Sequence, residues 1–188
     1  MKLSRLAYFA EFLVFPPLIL LFTALAFVRA TPPRPESWAL VYLAGFLAWT
    51  LIEYLLHRFV FHHAPVLARM HERHHDEPLE LIGTPAWVSV SLGAVAVAGP
   101  CWAMLGFDLG TAATAGMVTG YLYYVLIHYV IHHWQPRPGS YLSRIRRWHA
   151  LHHHFADEGN FGVTTTFWDH VLGTALESRH RKLHRNAD

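Results

Sequence analysis

Histidine is the residue type through which this sequence could do chemistry, because it accounts for 16 of the 188 residues. Most of these histidines fall into four short clusters, HRFVFHH at 57–63, HERHH at 71–75, HYVIHH at 128–133 and HALHHH at 149–154. Neutral imidazole is a good ligand for zinc, copper, iron and nickel. The single cysteine, Cys101, lies in an apolar run and offers neither a disulfide framework nor a thiolate site. The clusters therefore predict a metal site built from histidines.

The spacing within each cluster determines which imidazoles can point the same way. Side chains advance about 100° per residue along a helix, so residues three or four apart share a face. Three sets each fall within such a face, and they are His71, His74 and His75; His128 and His132; and His149, His152 and His153. His57 and His62 would lie about 140° apart on a straight helix, so they would approach a site from different sides or the helix would end there.

Ten imidazoles in these positions exceed what one ion can bind. A tetrahedral zinc ion takes four ligands and an octahedral ion six, so ten histidines predict two ions. Other histidines stand outside the pattern, namely His63, His133 and His154 beside it, and His170, His180 and His184 on the surface or in a supporting role. A set of interfacial histidines without any ligand role is the alternative.

Segment 141–155 indicates which face of its helix the histidines occupy. Its apolar residues share one face with His149 and His152, whereas two of its arginines lie on the opposite face. The apolar residues are Leu142, Ile145 and Trp148, and the arginines are Arg144 and Arg147. A solvated histidine surface would show the reverse arrangement. The histidine face is therefore expected to be buried or to face the membrane.

The elements that position these clusters are apolar enough to cross a bilayer. Hydrophobic residues make up 53% of the chain and charged residues 15%, which is too apolar for a soluble domain of this size. A membrane-spanning helix needs about 20 mostly apolar residues. Four runs satisfy this requirement, at about 6–28, 38–56, 86–105 and 109–131. A buried helical core is the alternative, but four such runs leave too little polar chain to cover them.

These runs predict an all-α fold, a four-span transmembrane helical protein in which residues 1–188 form one domain. Segments 57–85 and 132–188 would form a cytosolic helical cap that carries the histidine-rich dimetal site. Lysine and arginine concentrate in these two segments, whereas the opposite loops contain only Arg29 and Arg34. Because positively charged loops stay in the cytoplasm, both termini and all histidine clusters are expected there, and we expect a bacterial inner membrane. The formal charge of +2 predicts no nucleic-acid partner.

In chain order, the spacings HxxxxH, HxxHH, HxxxH and HxxHH around four hydrophobic runs resemble those of the fatty acid hydroxylase and sterol desaturase superfamily. The likeness is closest to the fatty acid 2-hydroxylase branch. It rests on EYLLHRFVFHH at 53–63, HYVIHHWQPRPGSYLSRIRRWHALHHHF at 128–155 and NFGVTTTFWDHVLGT at 160–174. The resemblance extends over roughly residues 40–176.

This resemblance implies a membrane-bound hydroxylase with a histidine-ligated dimetal centre that uses dioxygen and external electrons. The cofactors would be two iron ions, and zinc would be an occupant of isolated protein, because a redox-inert ion cannot activate dioxygen by electron transfer. The substrate would be a lipid, most closely a fatty acyl chain, that enters from the bilayer. The ligands carried over by position are His57, His62, His71, His74, His75, His128, His132, His149, His152 and His153.

Two departures from the family pattern concern partners and substrate. Eukaryotic 2-hydroxylases often carry a fused cytochrome b5 domain, whereas no haem-binding HPGG precedes the first apolar run here. We therefore expect a separate electron donor, such as a cytochrome b5-like or ferredoxin-like protein, that docks on the arginine-rich cytosolic face. The chain is also short, so little of it remains for a cap that selects one lipid. The sequence gives no oligomeric state.

Two carboxylates near the histidines are candidates to orient the rings. Glu53 precedes His57 by one helical turn within an apolar run, where a carboxylate is costly and usually paired. It would support a ligand imidazole, or it would be a helix-end residue that reaches the membrane interface. Asp169 would play a similar orienting role or cap a helix. Residues 160–162 are expected to form a turn that returns the Trp168 region to the site.

Two other functions compete with a fatty acyl hydroxylase. A sterol or carotenoid hydroxylase, or a desaturase, of the same superfamily would use the same centre, but NFGVTTTFWDH and HRFVFHH favour the fatty acyl branch. A membrane protein that transports or stores metal would place its ligands near the bilayer midplane. Here the clusters lie at one edge of the expected spans, and only Glu11 and Glu53 are charged within them. This placement favours the enzyme.

Overall fold

The described part of the chain, residues 1–28, 34–155 and 158–176 of a computed structural model, consists of helices and the segments that join them. Seven α-helices occur in these ranges, namely α1 Arg5–Phe27, α2 Pro35–Leu55, α3 Pro65–Asp76, α4 Ala86–Gly93, α5 Gly99–His133, α6 Tyr141–Phe155 and α7 Phe167–Val171. Two π-helical turns, Leu56–Phe61 and Ala94–Ala98, continue α2 and α4. No β-strand forms in these ranges, so the all-α expectation is confirmed.

The chain divides into two compact units. The first unit comprises Met1–Thr50 and Glu80–Tyr123, and the second comprises Leu51–Leu79 and Tyr124–Asp188. All ten predicted ligands lie in the second unit. Two of the three boundaries between the units fall inside α2 and α5, so each of these long helices contributes its last turns to the histidine-bearing unit.

Three helical segments of the described chain are long and apolar enough to cross a membrane, and they are Arg5–Phe27, Pro35–Phe61 and Ala86–His133. The third segment is 48 residues long, which is about twice the length that one crossing needs. It contains one residue with non-helical geometry, Gly106, at φ 72° and ψ 175°. The sequence pattern predicts two separate runs in this part of the chain.

The chain reverses its direction at Gly106. A methyl group placed on Gly110 would lie 2.9 Å from the carbonyl oxygen of Cys101 and 2.9 Å from Cα of Trp102. On an uninterrupted helix, residues this far apart in sequence would be separated by more than about 10 Å. Glycine adopts the positive φ of the reversal without steric cost. The third segment is therefore two antiparallel arms, and the number of membrane crossings stays a prediction.

Small residues allow α2 and α5 to approach closely within the first unit. A methyl group on Gly116 would overlap the backbone of Tyr42 and Phe46, and one on Gly45 would overlap the backbone of Ala113. Between helices that are surrounded by lipid, close backbone packing of this kind replaces the hydrophobic driving force. Larger residues at Gly45 and Gly116 would therefore prevent α2 and α5 from packing this closely.

A buried carboxylate on α1 is held by hydroxyl groups of the first unit. Glu11 is 5% exposed, and it accepts hydrogen bonds of 2.7 Å from Ser89 and from Tyr121. Ser89 is also hydrogen-bonded to Thr84 at 3.0 Å. These hydroxyl groups satisfy a carboxylate that would otherwise be costly to bury among apolar side chains.

Candidate metal centre

The end of α2 continues as a π-helical turn, Leu56–Phe61, which carries His57 and is followed by His62. Hydrogen bonds in a π-helix run between residues five apart, so such residues lie above one another. The rings of His57 and His62 are accordingly 5.3 Å apart, with their planes at 19°. The π turn ends at Phe61, with His62 as the residue that caps it, and the two rings lie side by side instead of diverging as they would on a straight α-helix. We call them the π pair.

Five imidazoles meet around the Nε2 atom of His71. This atom lies 2.9 Å from Nε2 of His57, 3.2 Å from that of His62 and 3.0 Å from that of His75. Nε2 of His152 is 3.3 Å from that of His62. One ring nitrogen from each of the five lies within 4.8 Å of the others. These five residues are called the His71 group.

A second set of five imidazoles meets around His149. Its Nε2 atom lies 3.2 Å from that of His128, and 3.0 Å from those of His132 and His153. His74 completes the set, because one of its ring nitrogens lies within 4.8 Å of those of His132, His149 and His153. Its ring centre is also 4.7 Å from that of His128. These five residues are called the His149 group.

The spacing between these nitrogens suits a metal ion better than hydrogen bonds among the rings. A neutral imidazole nitrogen carries either one proton or one lone pair, so it cannot pair with three other nitrogens. Nitrogens bound to an ion at about 2.0–2.1 Å lie about 2.9 Å apart at right angles and about 3.4 Å apart in a tetrahedron. The separations around His71 and His149 run from 2.9 to 3.2 Å. Each group could thus hold one ion.

His74 gives an independent indication of a cation site. Its side chain is buried at 6% exposure, and neither of its ring nitrogens has a hydrogen-bond partner among the described residues. A buried polar group without a partner costs free energy. A bound cation would satisfy one of the two nitrogens.

The two groups are assembled in the same way. Each takes a pair from the end of a long helix, the π pair in the His71 group and His128 with His132, called the α pair, in the His149 group. Each HxxHH cluster is split between the groups. From α3, His71 and His75 enter one group and His74 the other; from α6, His149 and His153 enter one group and His152 the other. Sequence periodicity shows the shared face of each cluster but not this split.

Burial keeps the imidazoles of α6 in the neutral form that metal ions bind. Removal from water, reinforced by neighbouring imidazoles, lowers the pKa of His149 well below its ordinary value. Burial also lowers the pKa of His152 well below its ordinary value, although a hydrogen bond to Gly159 acts in the opposite direction. Burial beside His75 and His132 lowers the pKa of His153 to about 3. These rings therefore offer lone pairs at physiological pH.

Backbone carbonyls of one loop fix two imidazoles of the His71 group. The carbonyl oxygen of Phe161 lies 2.5 Å from Nδ1 of His57, and that of Gly159 lies 2.9 Å from Nδ1 of His152. Only a protonated Nδ1 can donate to a carbonyl, so each Nε2 keeps its lone pair and faces the other nitrogens. We call residues 158–166, which supply these oxygens, the carbonyl loop.

Asp169, buried on α7, binds the carbonyl loop and the segments beside it. Its carboxylate accepts hydrogen bonds of 2.9 Å from the backbone N–H groups of Phe161 and Gly162. It also accepts one from the indole of Trp148 at 3.2 Å and one from the hydroxyl of Thr174 at 2.7 Å. Burial raises the pKa of this carboxyl, and the four hydrogen bonds oppose the increase. Asp169 therefore acts on the imidazoles through the loop backbone.

Glu53 binds the other end of the carbonyl loop. Its carboxylate accepts hydrogen bonds from the backbone N–H of Val163 at 2.7 Å, and from the N–H and hydroxyl of Thr164 at 2.8 and 2.5 Å. Its side chain is 3% exposed and does not reach the surface. The position of Glu53 predicts a partner of a ligand ring or a helix-end residue, whereas these hydrogen bonds run to the loop. Its influence on His57 therefore passes through the backbone at Phe161.

The buried hydrogen bonds of Asn160 were not predicted from the sequence. This fully buried residue donates its side-chain amide to the carbonyl of Trp148 at 3.3 Å and accepts the N–H of Leu176 at 2.9 Å. Its φ of 59° lies in the left-handed region, which asparagine adopts more readily than most residues. This positive φ lies at the first residue of the turn expected at 160–162, and the asparagine there was the available signal.

Four further histidines of the described chain stay outside both groups, and they are His63, His133, His154 and His170. His63 and His154 are exposed. His133 stacks on Tyr129 with ring centres 4.3 Å apart, and His170 stacks on Trp148 at 5.2 Å. His180 and His184 lie outside the described residues, as do the basic residues after position 176.

Comparison with known proteins identifies relatives that share this region. The fatty acid hydroxylase family matches residues 42–174. The chain is 30% identical over 171 residues to a ceramide very long chain fatty acid hydroxylase of Schizosaccharomyces pombe, covering 79% of this chain and 46% of that protein. It is 32% identical over 156 residues to a fatty acid 2-hydroxylase of Homo sapiens, covering 76% and 41%. It thus spans about half the length of these curated relatives.

The fold is similar to that of a solved structure of full-length scs7p in which only the hydroxylase domain is visible. The TM-score is 0.78 at 26% sequence identity. The matched region covers 92% of this chain and 70% of that chain. Sequence and fold comparisons therefore lead to the same set of proteins.

Proposed function

Because the chain belongs to the fatty acid hydroxylase family, we propose that it is a membrane-bound enzyme that hydroxylates an aliphatic C–H bond of a lipid, most closely a fatty acyl chain. The resemblance to this family and to its 2-hydroxylase branch, first indicated by the histidine spacing, is confirmed. The observation that carries the proposal is the pair of histidine groups, with five mutually close nitrogens in one and four in the other, to which His128 adds a contact with His149. The proposed ligands are the ten histidines of these groups.

Two iron ions are the proposed cofactors, and when bound they would supply the activation of dioxygen with electrons from outside the chain. The protein presents neutral imidazole nitrogens to them, since burial keeps the histidines of α6 unprotonated. The carbonyl loop holds His57 and His152 with their Nε2 atoms directed inward. Fixed donors of this kind keep the geometry of a site constant when its charge changes.

A fatty acyl chain, free or bound in a ceramide, is the proposed substrate. The relatives are named for ceramide, fatty acid and dihydroceramide fatty acyl hydroxylation. Three long apolar helical segments of the described chain suit a protein that takes its substrate from a bilayer. Under this proposal the lipid stays in the membrane, and only the carbon to be oxidised approaches the histidines.

Lipid analysis of cells that express the full chain tests this function. The variant His74→Ala removes a proposed ligand, and His154→Ala changes an exposed histidine on α6 as the matched control. We expect fatty acids with one added oxygen from the original chain and from His154→Ala, and none from His74→Ala. Fragmentation in the mass spectrometer locates the hydroxyl group. Products that have lost two hydrogens, or oxidised sterols or carotenoids, would contradict acyl hydroxylation and identify the alternatives.

We also propose that the chain crosses the membrane four times, with both termini and the histidines on the cytoplasmic side. The two arms that meet at Gly106 would be the third and fourth crossings, and the positive loops set the orientation. In a Cys101→Ser background, cysteines introduced at Arg34 and Asp108 should react with impermeant reagents from outside. A cysteine at Glu80 should not react. The reverse labelling pattern would contradict this orientation.

A separate electron-transfer protein is the proposed partner, and it would dock on a basic surface that includes Arg144 and Arg147. Both arginines are exposed on α6, on the face away from the buried histidines. Replacement of both by glutamate should lower the rate with a cytochrome b5-like or ferredoxin-like donor, and added salt should do the same, because exposed charges are screened. The rate with a small chemical reductant should be unchanged. Equal loss with both reductants would contradict the docking site.

A further inference from the structure

The two histidine groups differ in what holds the outer nitrogens of their rings. In the His71 group, Nδ1 of His57 and Nδ1 of His152 are each hydrogen-bonded to a backbone carbonyl. In the His149 group, Nδ1 of His149 and both ring nitrogens of His74 are buried without a hydrogen-bond partner in the described chain. The carbonyl loop therefore supports two rings of the His71 group, whereas these nitrogens of His149 and His74 in the other group have no such support among the described residues.

A hydrogen bond to the outer nitrogen strengthens an imidazole ligand in two ways. It fixes the tautomer and the orientation of the ring, and it makes the inner nitrogen more basic. Removal of such a partner typically lowers metal affinity by about 10- to 100-fold. Among the described residues, His57 and His152 of the His71 group have such a partner and His149 and His74 of the other group have none, so the His71 group is the better prepared to retain an ion.

Two carboxylates, Glu53 and Asp169, bind the carbonyl loop, and Asp169 is the one that binds directly beside the Phe161 carbonyl. Asp169 binds the backbone N–H groups on either side of the Phe161 carbonyl, and it also binds Trp148, one helical turn before His152. It thereby links the carbonyl loop to α6. The ring of Phe161 lies 5.9 Å from the ring of His57 and 5.5 Å from that of His152. A displacement of the loop would therefore disturb both rings together.

We propose that the His71 group is a tight metal site and the His149 group an exchangeable one, and that Asp169 is the positioning residue responsible for the difference. The inference rests on the two-ion centre of the proposed function. It concerns the retention of metal and not turnover, so it can be tested with zinc, which has no redox chemistry.

Release of zinc to a chelator tests the inference. The full chain is loaded with zinc in detergent and mixed with an excess of a chromogenic chelator. We expect two phases of one equivalent each. His74→Ala should lack the fast phase and His71→Ala the slow phase, which assigns each phase to its group. If the protein retains a single ion after purification, His74→Ala should keep it and His71→Ala should lose it, and the reverse would overturn the proposal.

Three variants then separate positioning from general stability. Asp169→Asn keeps the size of the side chain but removes a carboxylate acceptor, so the slow phase should accelerate by about 10- to 100-fold while the fast phase is unchanged. Thr174→Val removes one hydrogen bond to Asp169, of 2.7 Å, and should accelerate the same phase by a smaller factor. Glu11→Gln changes a buried carboxylate of the first unit as the matched control, and it should alter neither phase.

A single release rate for both ions of the original chain would overturn the proposal, as would acceleration of the fast phase by Asp169→Asn. Equal acceleration of both phases would show a loss of general stability and would overturn the positioning role. If Asp169→Asn does not fold, Thr174→Val decides the question in the same way. A chain that hydroxylates lipid but releases both ions at one rate would contradict this inference alone. A chain with two release phases and no oxidised lipid would contradict only the proposed function.

Discussion

The π pair and the α pair each place two imidazoles in one histidine group, but they do so through different backbone geometry. His57 and His62 are five residues apart, and a π-helical turn places their rings 5.3 Å apart with nearly parallel planes. His128 and His132 are four residues apart on α5, with ring centres 4.8 Å apart and planes at 84°. Each pair contributes to one histidine group. Sequence spacing therefore predicts the direction of a side chain only when the local type of helix is known.

Loss of one member from either pair should have the largest effect. His62→Ala and His132→Ala each remove a proposed ligand, so each should abolish detectable hydroxylation and lower the zinc content of the purified chain. Lipid mass spectrometry and elemental analysis measure the two effects. If only His132→Ala had these effects, His62 would not be a ligand, and the π pair and the α pair would not have the same role.

Deletion of one residue within each pair should separate the two geometries. Phe59 is 53% exposed on the π turn, and its deletion allows the turn to relax to an α-helix that still places the two histidines on one face. Deletion of Tyr129 from α5 instead rotates every following residue by about 100° and removes His132 from its group. We expect the first variant to keep two zinc ions and the second to lose one. Equal losses would show that the π turn is not what aligns His57 and His62.

Side-chain support of the π turn should have a moderate effect on stability. Arg58 donates a hydrogen bond of 2.9 Å to the hydroxyl of Tyr54, and its guanidinium lies 4.9 Å from the ring centre of Phe59. Arg58→Met should therefore destabilise the fold by roughly 1 kcal/mol, seen as a lower thermal midpoint in detergent. Arg69→Met, at an exposed position on α3, is the matched control and should have almost no effect. Equal effects would argue against support through Arg58.

The smallest effect is expected at the histidine that follows each pair. His63 and His133 directly follow His62 and His132 in sequence, but neither belongs to a histidine group of the described chain. His63→Ala and His133→Ala should leave zinc content and hydroxylation nearly unchanged. Loss of an ion in either variant would show that the replaced histidine is also a ligand.

Histidine spacing alone indicated the family and a metal centre, because helical periodicity fixes which side chains of one helix share a face. It could not show that His74 lies in the His149 group while His71 and His75 lie in the other, since that depends on helices that are distant in sequence. The π turn was also missed, because nothing in the residues 56–61 distinguishes it from an α-helix. Glu53 and Asp169 were identified as near the site, but their partners include backbone groups of the carbonyl loop, which periodicity does not describe.

The carbonyl loop also sets an order of events during synthesis. Glu53 binds the N–H of Val163, 110 residues later, and Tyr54 pairs with Thr174 across 120 residues. A ribosome that adds about 5–20 residues per second needs roughly 5 to 20 seconds to bridge such a distance. Five of the ten proposed ligands, His57 to His75, are made early in this interval, before the amide groups that Glu53 binds exist. The nascent chain therefore completes the His71 group among its last folding steps, and a chain that stops before the carbonyl loop lacks the donors to Glu53.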